Sequence, residues 1–258
     1  MRLTEIHRYP VKSMRSNALS ESAVTPQGLP LDREWLVTTP DGTMLTARKF
    51  PKMLLWQAEA DSDGLTLTAP DGSRQTISVH EMNQEGEVAV WKDRFQAFGT
   101  ANDINTRLSG QLGVEARLHW LGRKSTRILA HSQTPLSFAD GAPYLLTNTA
   151  SLAELNTYLD EPVEMARFRP NLTVDGNTAF EEEQWRRIRI GEVEFEHFKP
   201  CVRCVMTTVD LSTGLRHPQH EPLSTLTVAR NAVFGVNLIA LNEGCIRAGD
   251  EVEVLAWR

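Results

Sequence analysis

Cysteine is scarce in this chain, with 3 among 258 residues, and an odd number cannot pair completely within one molecule. A secreted, disulfide-stapled framework is therefore not expected, and a reducing cytoplasm is the expected compartment. Long apolar runs are missing too. No stretch approaches the ~20 residues that a membrane helix requires, so no membrane partner is expected. The amino terminus MRLTEIHRYPVKSMR lacks the apolar segment of a secretory signal. Positive charge is in deficit: 27 Lys and Arg face 33 Asp and Glu, a formal net charge of -6. That balance excludes nucleic-acid binding driven by broad phosphate neutralisation, and any functional cations must be clustered locally. There is also no G-x-G-x-x-G after a strand for a dinucleotide, and Cys245 is the only thiol outside one close pair, so an iron-sulfur centre lacks its four thiolates.

With 41% hydrophobic and 23% charged residues, the chain is an ordinary globular composition, large enough to bury about 70% of its surface without staples. A metal here would serve chemistry. Length allows one large domain or two small ones.

The first hundred residues read mostly with period two. Leu65, Leu67 and Ala69 alternate with threonines, followed by Ile77 and Val79, then Val88 and Val90. Pro40-Asp41-Gly42 and Pro70-Asp71-Gly72 predict two hairpin turns. From Asn102 the period becomes helical through Ile104, Leu108 and Leu112, and Gly113 stops it. A strand is expected over Val114–Trp120, and the polar stretch Gly122–Gln133 marks a boundary, giving a β-rich domain over 1–121 and a second over 122–258. The second opens with a helix carrying Leu152, Leu155 and Leu159, capped by Asn148, Thr149 or Ser151. Strands are then expected at Arg167–Arg169, Ile188–Phe198, Cys204–Val209 and Glu251–Trp257. The class is mainly β (α+β), with a closed or nearly closed barrel and a few short helices.

Cys201-Val202-Arg203-Cys204 is the sharpest local signal, and alone it supports zinc, dithiol redox or one activated thiolate. Continued to His217 and His220 it approaches a zinc finger, but two intervening residues are too few and Pro218 opposes a helix through the pair. Dithiol exchange wants the pair at a helix start, whereas Val205–Val209 has poor helix propensity. The remaining alternative is two small buried hydrophobes in a barrel strand. Short basic clusters accompany the pair: Val11-Lys12-Ser13-Met14-Arg15, Asp32-Arg33, Thr46-Ala47-Arg48 and Arg167-Phe168-Arg169-Pro170-Asn171. On a strand, Arg167 and Arg169 would face one way and hold a phosphate between them; a solvated basic face is the competing reading.

In order along the chain, Pro10-Val11-Lys12-Ser13, Asp32-Arg33, Thr46-Ala47-Arg48, Ser137-Phe138-Ala139-Asp140, Phe168-Arg169-Pro170-Asn171, Cys201-Val202-Arg203-Cys204 and Phe234-Gly235-Val236-Asn237 resemble the MOSC family. The resemblance spans nearly the whole chain and is to the branch of YcbX-like proteins and the mitochondrial amidoxime-reducing component. It implies a MOSC β-barrel behind a β-rich amino-terminal region, and a molybdenum cofactor whose metal takes one protein thiolate. Carried over residue by residue, Cys204 matches the catalytic metal ligand, and Lys12, Ser13, Arg33, Asp140, Arg169 and Asn171 match residues that hold the pterin and its phosphate. An arginine beside the thiolate would help to keep it deprotonated. Val202 stands where relatives often have serine, and the chain stops at Arg258, where several bacterial relatives continue into a ferredoxin domain. The implied activity is reduction of N-hydroxylated small molecules, such as amidoximes or hydroxylaminopurine, as a detoxification. Electrons would come from a separate electron-transfer protein. The rival class is a carrier that stores the cofactor, or passes sulfur on Cys204, without turnover.

Overall fold

The computed structural model describes residues 1–123, 125–129 and 133–258. Among these, strand accounts for 41% and helical turns for 18%, with three α-helices. The fold is mainly β, as expected.

The central sheet has eight strands in the order Val252–Trp257, Trp185–Ile190, Val193–Val202, Val233–Ala240, Tyr144–Asn148, Leu172–Val174, Leu3–Arg8 and Asn17–Leu19. It curls back on itself. Arg2 bridges Glu251, Leu3 N donates to Asp250 O at 2.9 Å, and Val252 N donates to Met1 O at 2.9 Å, so the last strand returns to the first. Alternation explains the curl's filling: Ile188 and Ile190 turn inward with Val193 and Phe195, while Arg187 and Arg189 turn out. Leu3, Ile6, Tyr144, Leu146, Leu172 and Val236 complete that core. A second core under the amino-terminal sheets holds Val11, Met14, Trp35, Ala47, Trp56 and Leu118. The opening residues do not stay with that half. Leu3–Arg8 and Asn17–Leu19 join the central sheet, and Glu21–Val24 pairs with Gly244–Arg247.

Local sequence signals account for most elements. Gly72, at φ +82°, turns Gly64–Thr68 into Arg74–Ser78. Gly42, at φ +81°, closes the other turn, where an added Cβ would lie 2.3 Å from Glu87 O. The helix Ile104–Leu112 starts with Asn102 Oδ1 accepting Ile104 N at 3.0 Å and ends at Gly113, φ +69°. The strand after it begins at Arg117, later than expected, because Ser109 Oγ occupies Ala116 N at 2.9 Å. Asn148 caps Thr149–Asn156, accepting Ala150 N at 3.0 Å. The hairpin across Gly191 also forms. Of the stretch expected as a boundary, positions 124 and 130–132 lie outside the described residues, and Ile128–Leu129 pairs with Thr134–Pro135. No helix among the described residues is long and apolar enough to cross a membrane.

Two expected strands are 3-10 turns instead. Met165–Phe168 is a single turn ending at Arg169, φ +55°, where Phe168 stacks on Phe234 with ring centroids 3.9 Å apart. Arg167 and Arg169 therefore do not share a strand face. Val205–Thr208 likewise turns, because Thr207 Oγ donates to Cys204 O at 3.0 Å and Thr208 Oγ to Val205 O at 2.8 Å. Threonine hydroxyls offered the backbone a local bond that outweighed the run's β propensity.

Candidate cofactor site

A cleft of about 400 Å3 opens where Leu3–Arg8 ends and where Tyr144–Asn148 and Leu172–Val174 begin. Lys12, Ser13, Arg33, Asp140, Arg169, Asn171 and Cys204 all line it. Seven lysine and arginine side chains face it against one carboxylate, Asp140, the reverse of the whole chain's charge of -6.

Three backbone segments are laced together beneath the cleft. Lys12 N donates to Trp35 O at 2.9 Å, Arg33 N to Tyr9 O at 2.7 Å, and Phe138 N to Arg33 O at 2.9 Å. Ser13, Arg33 and Arg169 all adopt the left-handed region, at φ +70°, +51° and +55°. For residues other than glycine this costs on the order of 1 kcal/mol or more each, and it persists where surrounding bonds over-determine it, as at binding sites.

The cations differ in how far they are already satisfied. Lys12 is buried, and its Nζ donates to Phe138 O at 2.7 Å and to Asp140 at 2.5 Å. Burial pushes its ammonium down and Asp140 pulls it partly back. Desolvation would raise Asp140, but Lys12, the Trp91 indole N–H at 2.9 Å and Arg48 outweigh it, holding the carboxyl well below the usual range. Arg33 pairs with Asp32 at 2.5 Å and donates to Asn171 Oδ1 at 2.9 Å; burial alone would lower it, and Asp32 more than compensates. Arg169 is the exception. It is 8% exposed, donates only to Met14 O at 2.7 Å, and has no carboxylate in ion-pair reach among the described residues. Burial pushes it down to about 10, so it stays charged at neutral pH with spare N–H donors.

Asn171 ties the cleft walls together and keeps one amide N–H to spare. Its Oδ1 accepts from Arg33 and Leu145 N, and its Nδ2 donates to His7 O at 3.1 Å. The Ser13 hydroxyl, by contrast, takes no partner among the described residues.

Cys201 is the penultimate residue of the strand Val193–Val202, and Cys204 heads the turn Val205–Thr208, so the two thiols stand on different elements. The arginine between them serves Cys201: Arg203 Nη1 donates to Cys201 Sγ at 2.8 Å and Nη2 to Phe168 O at 2.5 Å. This corrects the expectation of an arginine beside the Cys204 sulfur. Cys204 Sγ takes no hydrogen bond among the described residues, and no group of three or more His, Cys, Asp or Glu side chains there is placed to hold a metal. A metal held by Cys204 would therefore find at most one further such side chain beside it among the described residues.

Sequence reasoning missed Tyr9 as a site residue. Its ring lies 4.3 Å from the Arg33 guanidinium and 4.2 Å from that of Arg169, and its hydroxyl donates to Pro170 O at 3.0 Å. Adjacency to Pro10-Val11-Lys12-Ser13 was the only available signal. Arg48 was visible within Thr46-Ala47-Arg48 without an assigned role, and nothing in the sequence singles out Trp91.

Known proteins resemble this chain along nearly all of it. The MOSC N-terminal beta barrel domain matches residues 1–115 and the MOSC domain matches residues 133–253. Mitochondrial amidoxime-reducing component 1 of Homo sapiens is 33% identical over 275 residues, covering 96% of this chain and 81% of that protein. Mitochondrial amidoxime reducing component 2 of Homo sapiens is 30% identical, covering 95% and 80%. A molybdenum cofactor sulfurase of Drosophila grimshawi is 31% identical over 98% of this chain, which spans only 34% of that protein. With both of its domains matched and relatives of this identity covered over most of their length, the chain belongs to the MOSC family, in the branch of the amidoxime-reducing components.

Proposed function

We propose that this protein binds a molybdenum cofactor in the cleft and reduces N-hydroxylated compounds of the amidoxime or hydroxylaminopurine type, drawing electrons from a separate protein. The observation that carries this reading is Arg169, a buried cation without a carboxylate, in one cleft with a thiol that takes no hydrogen bond. A doubly charged phosphate fits the first and a soft metal the second. Cys204 would hold the metal. Arg169 and Ser13 would donate to the phosphate, with Lys12 and Arg33 adding charge behind them and Asn171 acting through Arg33. When bound, the cofactor supplies a two-electron redox centre. The overall reaction consumes two electrons and two protons, breaks the N–O bond, and leaves the amine or amidine and water. Asp140, held ionised, orients Lys12 and is no proton donor at neutral pH.

Clearance of hydroxylated bases is the physiological role we attach to this reading, and the cytoplasm its compartment, supported by three unpaired cysteines; the mammalian relatives are named mitochondrial. The division at 121/122 is proposed in the same spirit. A carrier without turnover is the second reading, favoured by the likeness to a cofactor sulfurase. Protein from a cofactor-competent host should contain molybdenum and pterin and reduce benzamidoxime with a reduced viologen. Bound cofactor without turnover would replace the reductase by the carrier, and protein that binds no cofactor would sink both.

A further inference from the structure

The lip of the cleft carries side chains that the proposed reaction leaves unused. Trp91 stands at the tip of the hairpin between Gln84–Val90 and Asp93–Gly99, at φ +57° and 45% exposed. Two-residue hairpin tips favour Gly, Asn or Asp in that conformation, so a tryptophan there is unfavourable unless something fixes it. Its indole N–H donates to Asp140 at 2.9 Å, and the Arg48 guanidinium lies 4.2 Å from its ring centroid and 3.8 Å from Asp140. The ring is thus a fixed, half-exposed plate beside the cleft.

One residue further along the chain, Gly141 faces Lys199: a Cβ at Gly141 would lie 3.0 Å from Lys199 Nζ. That ammonium lies 5.3 Å from the Phe198 ring and has no carboxylate or hydrogen-bond partner among the described residues. Lys199 thus differs from Arg127, which pairs with Asp93, and from Arg230, which pairs with Glu183. Asp140 is the one carboxylate in the cleft lining and is shared between Lys12 at 2.5 Å and Arg48 at 3.8 Å, which leaves Lys199 with none and Arg48 only partly neutralised. In the reductase reading the inner cations serve the cofactor phosphate, so Lys199, with Arg48 nearby sharing its carboxylate with Lys12, is left to meet another anion.

We propose that this lip recognises a substrate whose N-hydroxylated group belongs to a planar heteroaromatic ring carrying a phosphate, as in a nucleoside monophosphate. The ring stacks on Trp91, and the phosphate meets Arg48 and Lys199. Stacking tolerates different rings because each presents a π face, whereas the two cations select for the anion. This inference rests on the reductase reading, whose substrate it specifies.

The test compares N6-hydroxyadenosine with its 5'-monophosphate, using cofactor-loaded protein and a reduced viologen, alongside calorimetric binding of AMP and of adenosine. The monophosphate should show a KM roughly tenfold or more below that of the nucleoside, and AMP should bind more tightly than adenosine by a similar factor. Lys199→Gln should remove most of that advantage without changing kcat, molybdenum content or the nucleoside's KM. Trp91→Ala should raise KM for both ring substrates several-fold more than for acetamidoxime, which has no ring. Trp257→Ala, another exposed tryptophan, should change nothing. Equal KM for nucleoside and monophosphate in the unaltered protein would overturn the proposal, as would a Lys199→Gln loss shared with acetamidoxime. If no N-hydroxylated compound is turned over, the reductase reading fails and AMP binding decides alone: a preference over adenosine that Lys199→Gln abolishes upholds phosphate recognition, and none refutes it.

Discussion

Two guanidiniums held against one phenol ring set the geometry of the cleft floor, and the residue responsible, Tyr9, is no ligand candidate itself. Each cation–π contact in a desolvated setting contributes about 1–2 kcal/mol, so Tyr9→Leu should lower thermal stability and cut molybdenum retention several-fold. Tyr9→Phe keeps the ring, losing only the bond to Pro170 O, and should retain most of its metal; equal loss in both variants would show that the hydroxyl matters instead. The thiols make a sharper pair. Cys204→Ser should abolish metal binding and turnover, whereas Cys201→Ser should keep most of both, because Cys201 Sγ is already occupied by Arg203. Equal loss, measured by metal content and benzamidoxime reduction, would point to a dithiol site. At this scale the sequence was informative where a motif carried a residue: Lys12, Ser13, Arg33, Asp140, Arg169, Asn171 and Cys204 do share one cleft. It was silent on which nitrogen goes to which acceptor. Arg203 reaching Cys201, and Asn171 spending its amide on Arg33, Leu145 and His7, follow from three-dimensional placement that spacing does not encode.

Elements with strong periodicity or explicit punctuation were legible: the strands around Gly72 and Gly191 and the helix stopped by Gly113 stand where their patterns put them. The two 3-10 turns were not, since aromatic stacking on Phe234 and threonine back-bonding decide them rather than propensity. Gly235 is punctuation of another kind. In the strand Val233–Ala240 it has φ +77°, and an added Cβ would lie 2.6 Å from Leu146 O on the neighbouring strand. Gly235→Ala should therefore cost about 1–3 kcal/mol and lower Tm by several degrees; an unchanged Tm would mean that the sheet relaxes freely there. The helix Thr149–Asn156 is tied to the turn Glu181–Gln184 by Glu182, fully buried, with both oxygens 2.8 Å from Ser151 Oγ. Burial raises its carboxyl to about 7, with the Ser151 bond opposing. The folded state therefore holds a proton that the unfolded chain releases near 4.5, and stability should fall as pH rises from about 4.5 to 7, by on the order of 3 kcal/mol. Denaturation of Glu182→Gln at several pH values should show that slope flattened, and an unaltered slope would assign it to other groups.

Across the whole molecule, charge is divided in a way that composition conceals. The chain is acidic at -6, yet its cleft is lined by seven cations and one carboxylate, so field lines converge on the site that holds Cys204. Anionic substrates and acidic redox proteins would both be drawn there, while the remaining surface repels them. The chain's own thiols offer no route for electrons, since the only cysteine outside the pair is Cys245, on the strand Gly244–Arg247, and no dinucleotide motif follows a strand. Reducing equivalents should then arrive through a small, transient contact with another protein near the cleft. Cofactor-loaded protein is expected to turn over N-hydroxylated substrates with dithionite or a viologen and not with NADH or NADPH alone. With an acidic donor protein, raising ionic strength from 50 to 500 mM should lower the rate several-fold, because the Debye length falls from well over 10 Å to a few ångströms, while viologen-driven turnover changes far less. Sustained NADH-dependent reduction by this chain without an added protein would refute the separate-donor account. A donor-driven rate indifferent to salt would show that the cleft's positive field has no part in bringing the two proteins together.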